Sequence, residues 1–157
     1  DPSYYRQLVT LTYPHIGNVG INSDDFESAR IYAAGLIIRN LSQTVSNWRS
    51  EIDLATFLKR GNCVAIAEID TRKLTRLIRD KGAQAGCLMT GEGIDPDVAV
   101  QAARKFPGLK GMDLAKLVSV KQRYQWNQRS IWPDRQSIYT AVGQLLLHST
   151  GAPARRG

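Results

Sequence analysis

The alternation of short apolar runs with amphipathic segments in the middle of the chain constrains its fold more than any other feature. Residues 63–69 (CVAIAEI) form a continuous apolar run, which is typical of a strand covered on both faces. Residues 70–82 (DTRKLTRLIRDKG) follow with helical spacing, and Asp70 and Gly82 are the expected N-cap and end of that helix. Such an alternation predicts a small sheet with helices packed against it.

Further strands are predicted on both sides of this centre. Residues 6–14 (RQLVTLTYP) are rich in β-branched side chains and end at a proline. Residues 29–40 (ARIYAAGLIIRN) form a second strand region, with a bulge at Gly35. Residues 83–91 (AQAGCLMTG) are predicted to form another buried strand.

One further helix is predicted before the central strand and one short element near residue 115. Residues 50–62 (SEIDLATFLKRGN) form the helix, with Ser50 as its cap and Asp53 in a capping-box position. Residues 111–119 (GMDLAKLVS) are a short turn or helix.

The last long helix is predicted over residues 95–108 (DPDVAVQAARKFPG). Asp95 can cap it, and Pro96 suits the first helical position, where no backbone N–H is needed. With this element the order of strands and helices is β, β, α, β, α, β, α. The expected fold class is therefore α/β, in a mixed α+β arrangement.

The net charge of +7 is unevenly distributed along the chain. Residues 119–157 carry six basic side chains and one acidic side chain, so most of the excess lies there. The pattern of strands and helices fails after about Trp132, and residues 133–157 are predicted to be a poorly ordered tail. No apolar run approaches the roughly 18 residues that span a bilayer, and no signal segment is visible, so neither a membrane protein nor secretion is expected.

Neither cysteine lies in a complete catalytic motif. Cys63, in GNCVA, comes close to a nucleophile elbow, but it follows a predicted helix and begins a strand, which is the reverse of that motif. Cys87 lies inside a predicted strand, and both cysteines are interpreted as buried structural thiols. His15 and His148 are the two histidines; a Cys–His pair stays open, but no third orienting group is indicated. No metal site is expected from these spacings.

The predicted helix of residues 70–82 is unusually basic. One interpretation is a binding face for an acidic partner, since Arg favours bidentate contacts across interfaces. The other, which is favoured, is an ordinary solvated helix face. The five cations are Arg72, Lys73, Arg76, Arg79 and Lys81.

A second basic segment combines cations with aromatic rings. In RYQWNQRSIW, Arg123 and Arg129 alternate with Tyr124, Trp126 and Trp132. Such a pattern can form a stacking platform for single-stranded nucleic acid. It also describes an edge strand with one aromatic face, which is the favoured interpretation. A small basic nucleic-acid-binding module remains the alternative function.

Three long blocks of the chain resemble a known family. They are DPSYYRQLVTLTYPHIGNVGIN, AEIDTRKLTRLIRDKGAQAGCL and FPGLKGMDLAKLVS, in this order. They resemble the N-terminal domain of the small subunit of glutamine-dependent carbamoyl-phosphate synthase. The resemblance covers about residues 1–132 and implies a swivelling β/β/α domain that is incomplete at its N-terminus. Residues 133–157 diverge from the family.

The resemblance also implies a function. The family's small subunit hydrolyses glutamine and passes the ammonia to a large subunit. That partner uses ATP, Mg²⁺ and bicarbonate to make carbamoyl phosphate for arginine and pyrimidine synthesis in the cytoplasm. The catalytic Cys, His and Glu lie in an amidotransferase domain that this chain lacks. The chain itself is thus expected to have no cofactor, no catalytic residue and no activity alone, and to serve as a scaffold that docks on the large subunit.

One site residue follows from the resemblance. In the family's DPSY motif the serine contacts the substrate L-glutamine, and this position corresponds to Ser3. A hydroxyl suits such a contact because it can both donate and accept a hydrogen bond. Membrane binding is not expected, and nucleic-acid binding is considered unlikely on this interpretation.

Overall fold

The computed structural model describes residues 1–127, which contain five short strands and four helices. Residues Asp1–Lys121 form one compact unit, and residues 122–127 belong to a second unit. The strands are β1 (Leu8–Thr10), β2 (His15–Ile16), β3 (Gly35–Ile37), β4 (Asn40–Leu41) and β5 (Val64–Ile66). The helices are α1 (Leu54–Arg60), α2 (Thr71–Lys81), α3 (Pro96–Lys105) and α4 (Leu114–Val118).

Three of the strands pair in parallel in the order β1–β3–β5. Gly35 faces Leu8 on one side and Val64 on the other, and the register continues without interruption over three residues on each side. The other two strands, β2 and β4, form a separate parallel pair. Parallel neighbours require long connections, and α1 lies in the connection that leads to β5, against which it packs. The coarse prediction of an α/β fold is confirmed.

The best-buried apolar side chain lies where β3 and β5 end. Within residues 1–127 this is Ile38, with 2% of its surface exposed. Its amide donates to the carbonyl of Ile66 at 3.0 Å, and its own carbonyl accepts from the amide of Ile69 at 3.3 Å. Thr71, the first residue of α2, is fully buried. The end of the sheet and the start of α2 are thus joined at the buried residues Ile38 and Thr71.

Aspartates cap all four helices of the described residues. Their carboxylates accept the backbone N–H of the third or second residue that follows, which supplies the first turn with an acceptor. The predictions at Asp70 and Asp95 are confirmed, as are Pro96 at the start of α3 and Gly82 at the end of α2, where φ is +79°. The caps are Asp53, Asp70, Asp95 and Asp113.

The predicted cap at Ser50 is wrong. Asp53 caps α1 instead, accepting from the amide of Thr56 at 2.8 Å and from its hydroxyl at 2.7 Å. The Ser50 hydroxyl donates to the carbonyl of Ile52 at 3.2 Å, so it supports the extended approach to the helix. The short element predicted near residue 115 is a helix, α4.

Several strand predictions are corrected by the sheet. Residues 83–91 form no strand, because an apolar extended segment becomes a strand only where a neighbouring chain offers its donors and acceptors, and no ladder reaches these residues within the described part of the chain. The strand β5 is not covered on both faces, since Ala65 and Ile66 are exposed. The predicted strand 6–14 is shortened to β1, and the predicted strand region 29–40 holds β3 and only the first residue of β4.

Gly35 is not at a bulge, because the register of β3 is regular on both sides. Its lack of a side chain instead lets the neighbouring residues approach its backbone closely. A Cβ at this position would lie 2.8 Å from Cδ1 of Leu88, 3.0 Å from Cδ2 of Leu8 and 3.0 Å from the carbonyl oxygen of Val64. The central strand can therefore keep both neighbours only with glycine here.

We expect Gly35→Ala to lower the free energy of unfolding by about 1–3 kcal/mol, the usual cost of overpacking. The reason is that one of the three contacts is backbone and cannot rotate away. Urea unfolding followed by circular dichroism measures the change. Gly86→Ala is the matched control: its Cβ would meet Cδ1 of Leu8 at 2.9 Å, the tip of a flexible side chain, so its cost is smaller. Equal losses for the two variants would contradict the packing at Gly35.

No helix among residues 1–127 has the length and apolar character needed to cross a membrane. The predicted tail of residues 133–157 lies outside the described residues, and the boundary near residue 132 stays a prediction.

Candidate functional site

Ser3 lies in a short, hydrogen-bonded turn. The carboxylate of Asp1 accepts from the Ser3 amide at 2.8 Å and from the Ser3 hydroxyl at 2.7 Å, both at Oδ1. Pro2 begins the 3-10 turn Pro2–Tyr4, where its missing N–H has no cost. Ser3 is exposed. Because its hydrogen is directed to Asp1, the Ser3 oxygen keeps its lone pairs for an incoming donor.

A second turn follows at once and carries a strained residue. The amide of Gln7 donates to the carbonyl of Tyr4 at 2.9 Å. Tyr5 has φ −56° and ψ 127°, and Arg6 has φ +61°, the geometry of a type II turn. Glycine or asparagine is favoured at the position of Arg6, and a larger side chain there costs about 1–3 kcal/mol. No sequence signal identified Arg6.

The two turns are fastened to the start of the sheet. The Gln7 side-chain amide donates to the carbonyl of Ser3 at 3.0 Å, and the Gln7 carbonyl accepts from the amide of Ala34 at 2.9 Å. Tyr5 forms an antiparallel bridge with Ala33. Ser3 is therefore held on the chain that enters β1 and β3, although it belongs to neither strand.

An open groove of about 930 Å³ begins beside this turn. Tyr4 belongs to its wall, and the rings of Phe26 and Phe57 meet in it with their centroids 5.5 Å apart. The Arg30 guanidinium lies 4.7 Å from the centroid of the Tyr32 ring, a cation–π distance. The groove combines apolar surface with charge, and sequence reasoning did not identify it because its residues come from four separate segments.

Two carboxylates in the groove wall are permanently charged at neutral pH. Asn22 donates to Asp25, and this bond, with the nearby Arg49 guanidinium at 3.1 Å, holds the pKa of Asp25 below its ordinary 3.8. Bonds from the amide and hydroxyl of Ser23 hold the pKa of Glu51 below 4.5. Neither group is therefore suited to general acid–base work near pH 7.

The cysteines are not placed for nucleophilic chemistry. Sγ of Cys63 lies 4.0 Å from the carbonyl oxygen of Ala33 and 3.8 Å from that of Val64, and burial raises the pKa of this thiol. Cys87 is half-buried in the unpaired segment, and His15 is exposed on β2. Residues 1–127 hold no group of three His, Cys, Asp or Glu that could bind a metal ion. His148 lies outside the described residues.

The cations of α2 all face solvent. Both ion pairs found within residues 1–127 belong to Arg49, so none of the five helix cations pairs with a described carboxylate. Arg72, Arg76 and Arg79 recur at helical spacing i, i+4 and i+7 and therefore share one face, which we call the arginine stripe. Thr71, which is fully buried, fixes the start of the helix.

The aromatic segment is not a strand over the part that is described. Residues 123–127 form no ladder, so the edge-strand interpretation is wrong for them. The rings of Tyr124 and Trp126 lie 6.2 Å apart at an interplanar angle of 60°. Rings set edge-to-face do not offer two parallel faces to successive bases. Arg129 and Trp132 lie outside the described residues.

Comparison with known proteins decides the family. The family model for the carbamoyl-phosphate synthase small chain, CPSase domain, matches residues 1–88, more than half of the chain. The chain belongs to this family. Carbamoyl phosphate synthase small chains from three bacteria illustrate the likeness, and the sequence-based resemblance is confirmed. They are those of Pseudomonas putida (58% identical over 132 residues, 84% of this chain and 35% of the relative), Vibrio cholerae (60% over 130, 83% and 34%) and Yersinia pseudotuberculosis (62% over 130, 83% and 33%).

This small-chain sequence spans about a third of the length of the curated relatives that it matches. The family match over residues 1–88 includes both turns at Ser3, the whole three-stranded sheet and the arginine stripe. Among the features described above for unit Asp1–Lys121, α3, α4 and the end of the 83–91 segment lie outside the match.

We expect the Cys63 thiol of this small-chain domain to react with iodoacetamide more slowly than Cys63 in the urea-unfolded chain at pH 8. Its raised pKa leaves less thiolate at any given pH, and the thiolate is the nucleophile. Mass spectrometry of the alkylated Cys63 peptide over time measures the rate. Faster reaction of the folded chain would show an activated cysteine and contradict the structural interpretation.

Proposed function

We propose that this chain is the scaffold and docking part of a glutamine-dependent carbamoyl-phosphate synthase small subunit, and that Ser3 contacts the glutamine. In this proposal the small subunit hydrolyses glutamine, and its ammonia goes to the large subunit for ATP- and bicarbonate-dependent synthesis of carbamoyl phosphate in the cytoplasm. The product serves arginine and pyrimidine biosynthesis. The family match supports the subunit role, and the hydrogen-bonded Ser3 turn is the observation that carries the substrate contact.

The geometry of Ser3 specifies which atoms of glutamine it would meet. Its hydroxyl hydrogen is directed to Asp1 at 2.7 Å, so the oxygen acts as an acceptor. Glutamine offers two kinds of donor, the α-ammonium and the side-chain amide, and either can donate to it. The negative carboxylate of Asp1 behind the hydroxyl strengthens the oxygen as an acceptor, because hydrogen bonds in a chain polarise one another.

The chemistry of glutamine hydrolysis is assigned to an amidotransferase domain outside this sequence. The thiols of Cys63 and Cys87 do not supply it, since burial disfavours the Cys63 thiolate and Cys87 lies in no catalytic arrangement of described residues. The chain is thus proposed to be inactive alone, with ATP and Mg²⁺ bound by the large subunit. We also assign the sheet and its helices to the family's swivelling β/β/α domain type.

The arginine stripe is the proposed docking surface for the large subunit. Three guanidinium groups on one face of α2, without a partner carboxylate among residues 1–127, can each bind a carboxylate in a bidentate manner. An interface with acidic groups on the partner would satisfy them. This assignment needs the face to be accessible, and all three arginines are exposed.

A chimaeric small chain tests the substrate contact. Residues 1–132 replace the aligned third of the Pseudomonas putida small chain, which is co-purified with its large chain. We expect glutamine-dependent carbamoyl phosphate synthesis, and we expect Ser3→Ala to raise KM for glutamine about 2- to 10-fold, the loss of one hydrogen bond of about 0.5–1.5 kcal/mol. Synthesis from added ammonia measures the large subunit alone and stays unchanged.

Ser46→Ala is the matched control for this experiment, because Ser46 is also exposed and its hydroxyl makes no hydrogen bond within the described residues. An unchanged KM for Ser3→Ala would contradict the substrate contact. A chimaera that does not bind the large chain would contradict the subunit role.

Charge reversal tests the docking surface. We expect the triple variant Arg72→Glu, Arg76→Glu and Arg79→Glu to weaken binding of the chimaera to the large chain at least tenfold, because like charges then face each other across the interface. Surface plasmon resonance at two salt concentrations measures the affinity. The control is Arg104→Glu with Lys105→Glu, which reverses two exposed charges on α3. Equal affinities for the two variants would place docking elsewhere.

The 157-residue chain tests the alternative of a nucleic-acid-binding module. That function requires binding to a single-stranded oligonucleotide whose affinity falls steeply with salt. Strong binding that is lost only when residues 133–157 are removed would assign the basicity to the tail, not to the domain.

A further inference from the structure

The chain reverses direction beside the Ser3 turn within very few residues. Tyr5 bridges Ala33 in the antiparallel sense, yet Leu8 pairs with Gly35 in the parallel sense. The reversal relative to the 33–35 segment is made by the type II turn, and Arg6 takes the left-handed position in it, with φ +61°. The backbone alone would be served better by glycine, which adopts this conformation without strain.

The side chain of Arg6 reaches a distant loop. Its Nη1 donates to Sδ of Met112 at 3.4 Å, a contact between residues 106 positions apart. That loop is itself built as a turn: the amide of Met112 donates to the carbonyl of Leu109 at 3.1 Å, and Gly108 and Gly111 have φ of +82° and +84°. The Arg6 guanidinium also lies 6.0 Å from the Tyr5 ring centroid.

The backbone conformation at residue 6 and the presence of an arginine there have different explanations. The turn explains the backbone conformation, but it does not explain an arginine, because arginine is strained there. The guanidinium contact explains the arginine, since it joins the turn to the loop of residues 108–113. The left-handed backbone of Arg6 and the contact of its guanidinium with Met112 together indicate that this side chain has a structural role of its own.

We propose that Arg6 is a positioning residue for Ser3, which it holds by docking the Tyr4–Gln7 turn on the Met112 loop. The proposal rests on the proposed substrate contact of Ser3. Arg6 acts through Gln7, whose side chain donates to the carbonyl of Ser3 at 3.0 Å and whose carbonyl accepts from Ala34 at 2.9 Å. Release of the guanidinium loosens the turn, and with it the position of the Ser3 backbone that carries the hydroxyl.

The first test is a double-mutant cycle in the chimaeric small chain bound to its large chain. Arg6→Gly relieves the backbone strain and removes the guanidinium. We expect it to raise KM for glutamine about 2- to 10-fold, as Ser3→Ala does. The double variant is expected to be no worse than Ser3→Ala, because Arg6 acts only through Ser3. Arg6→Lys keeps a cationic donor, so we expect it to raise KM for glutamine less than Arg6→Gly does.

Asn62→Gly is the matched control, since Asn62 is another left-handed residue, with φ +49°, at the end of α1. It leaves KM unchanged. An unchanged KM in Arg6→Gly, where Ser3→Ala has an effect, overturns the proposal. Additive effects of Ser3→Ala and Arg6→Gly also overturn it, because they would show that Arg6 acts on the substrate independently.

The second test uses the 157-residue chain without substrate or partner, so it does not depend on the function of Ser3. We expect the Gln7 amide to exchange with solvent about tenfold faster in Arg6→Gly and in Met112→Ala than in the parent chain or in Asn62→Gly. Unchanged exchange in both variants overturns the positioning. Faster exchange together with no effect of Ser3→Ala on KM would contradict the proposed substrate contact and leave the positioning by Arg6 intact.

Discussion

The parallel pairing of β3 with a strand on each side is the constraint on which the rest of this unit depends. It places Leu8, Gly35 and Val64 side by side on neighbouring strands. The strands can approach this closely only because the middle residue has no side chain. Leu88 fills the space above it. The same three strands then position the two proposed functional parts, because β1 continues the Ser3 turn and β5 leads through Ile69 into α2.

Two kinds of surface result from this arrangement. At the start of the sheet, hydrogen bonds from Ala34 to Gln7 and from Gln7 to the carbonyl of Ser3 hold the Ser3 backbone, and Asp1 directs its exposed hydroxyl. Along α2, three arginines occupy one exposed face of a helix whose first residue is fully buried. The proposed function places glutamine at the first surface and acidic groups of the large subunit at the second.

The sequence predicted those features that local chemistry determines. The caps Asp70 and Asp95 and the end of α2 at Gly82 were correct, because a side-chain acceptor or a left-handed residue acts within one helical turn. Ser50 was misassigned because Asp53, three residues later, is an equally good cap and the chain before it is extended. For Ser3, the resemblance supplied the residue, but the bond to Asp1 that directs its hydroxyl was not foreseen.

Features that depend on distant residues could not be read from the sequence. The apolar run of residues 83–91 predicted a strand, but pairing depends on a neighbour that an apolar pattern does not reveal. The role of Gly35 became visible only with Leu88 and Val64 beside it. Arg6 carries no signal of its left-handed backbone, and its contact with Met112 joins opposite ends of the unit Asp1–Lys121.

The central claim is that Ser3 of this small-chain domain meets the glutamine as a hydrogen-bond acceptor. A crystal structure of the chimaeric subunit with glutamine bound tests it most directly. The account predicts a nitrogen of glutamine at about 2.7–3.2 Å from the Ser3 oxygen, with the hydroxyl still directed to Asp1. A glutamine bound with every nitrogen beyond about 3.6 Å from that oxygen would contradict the account.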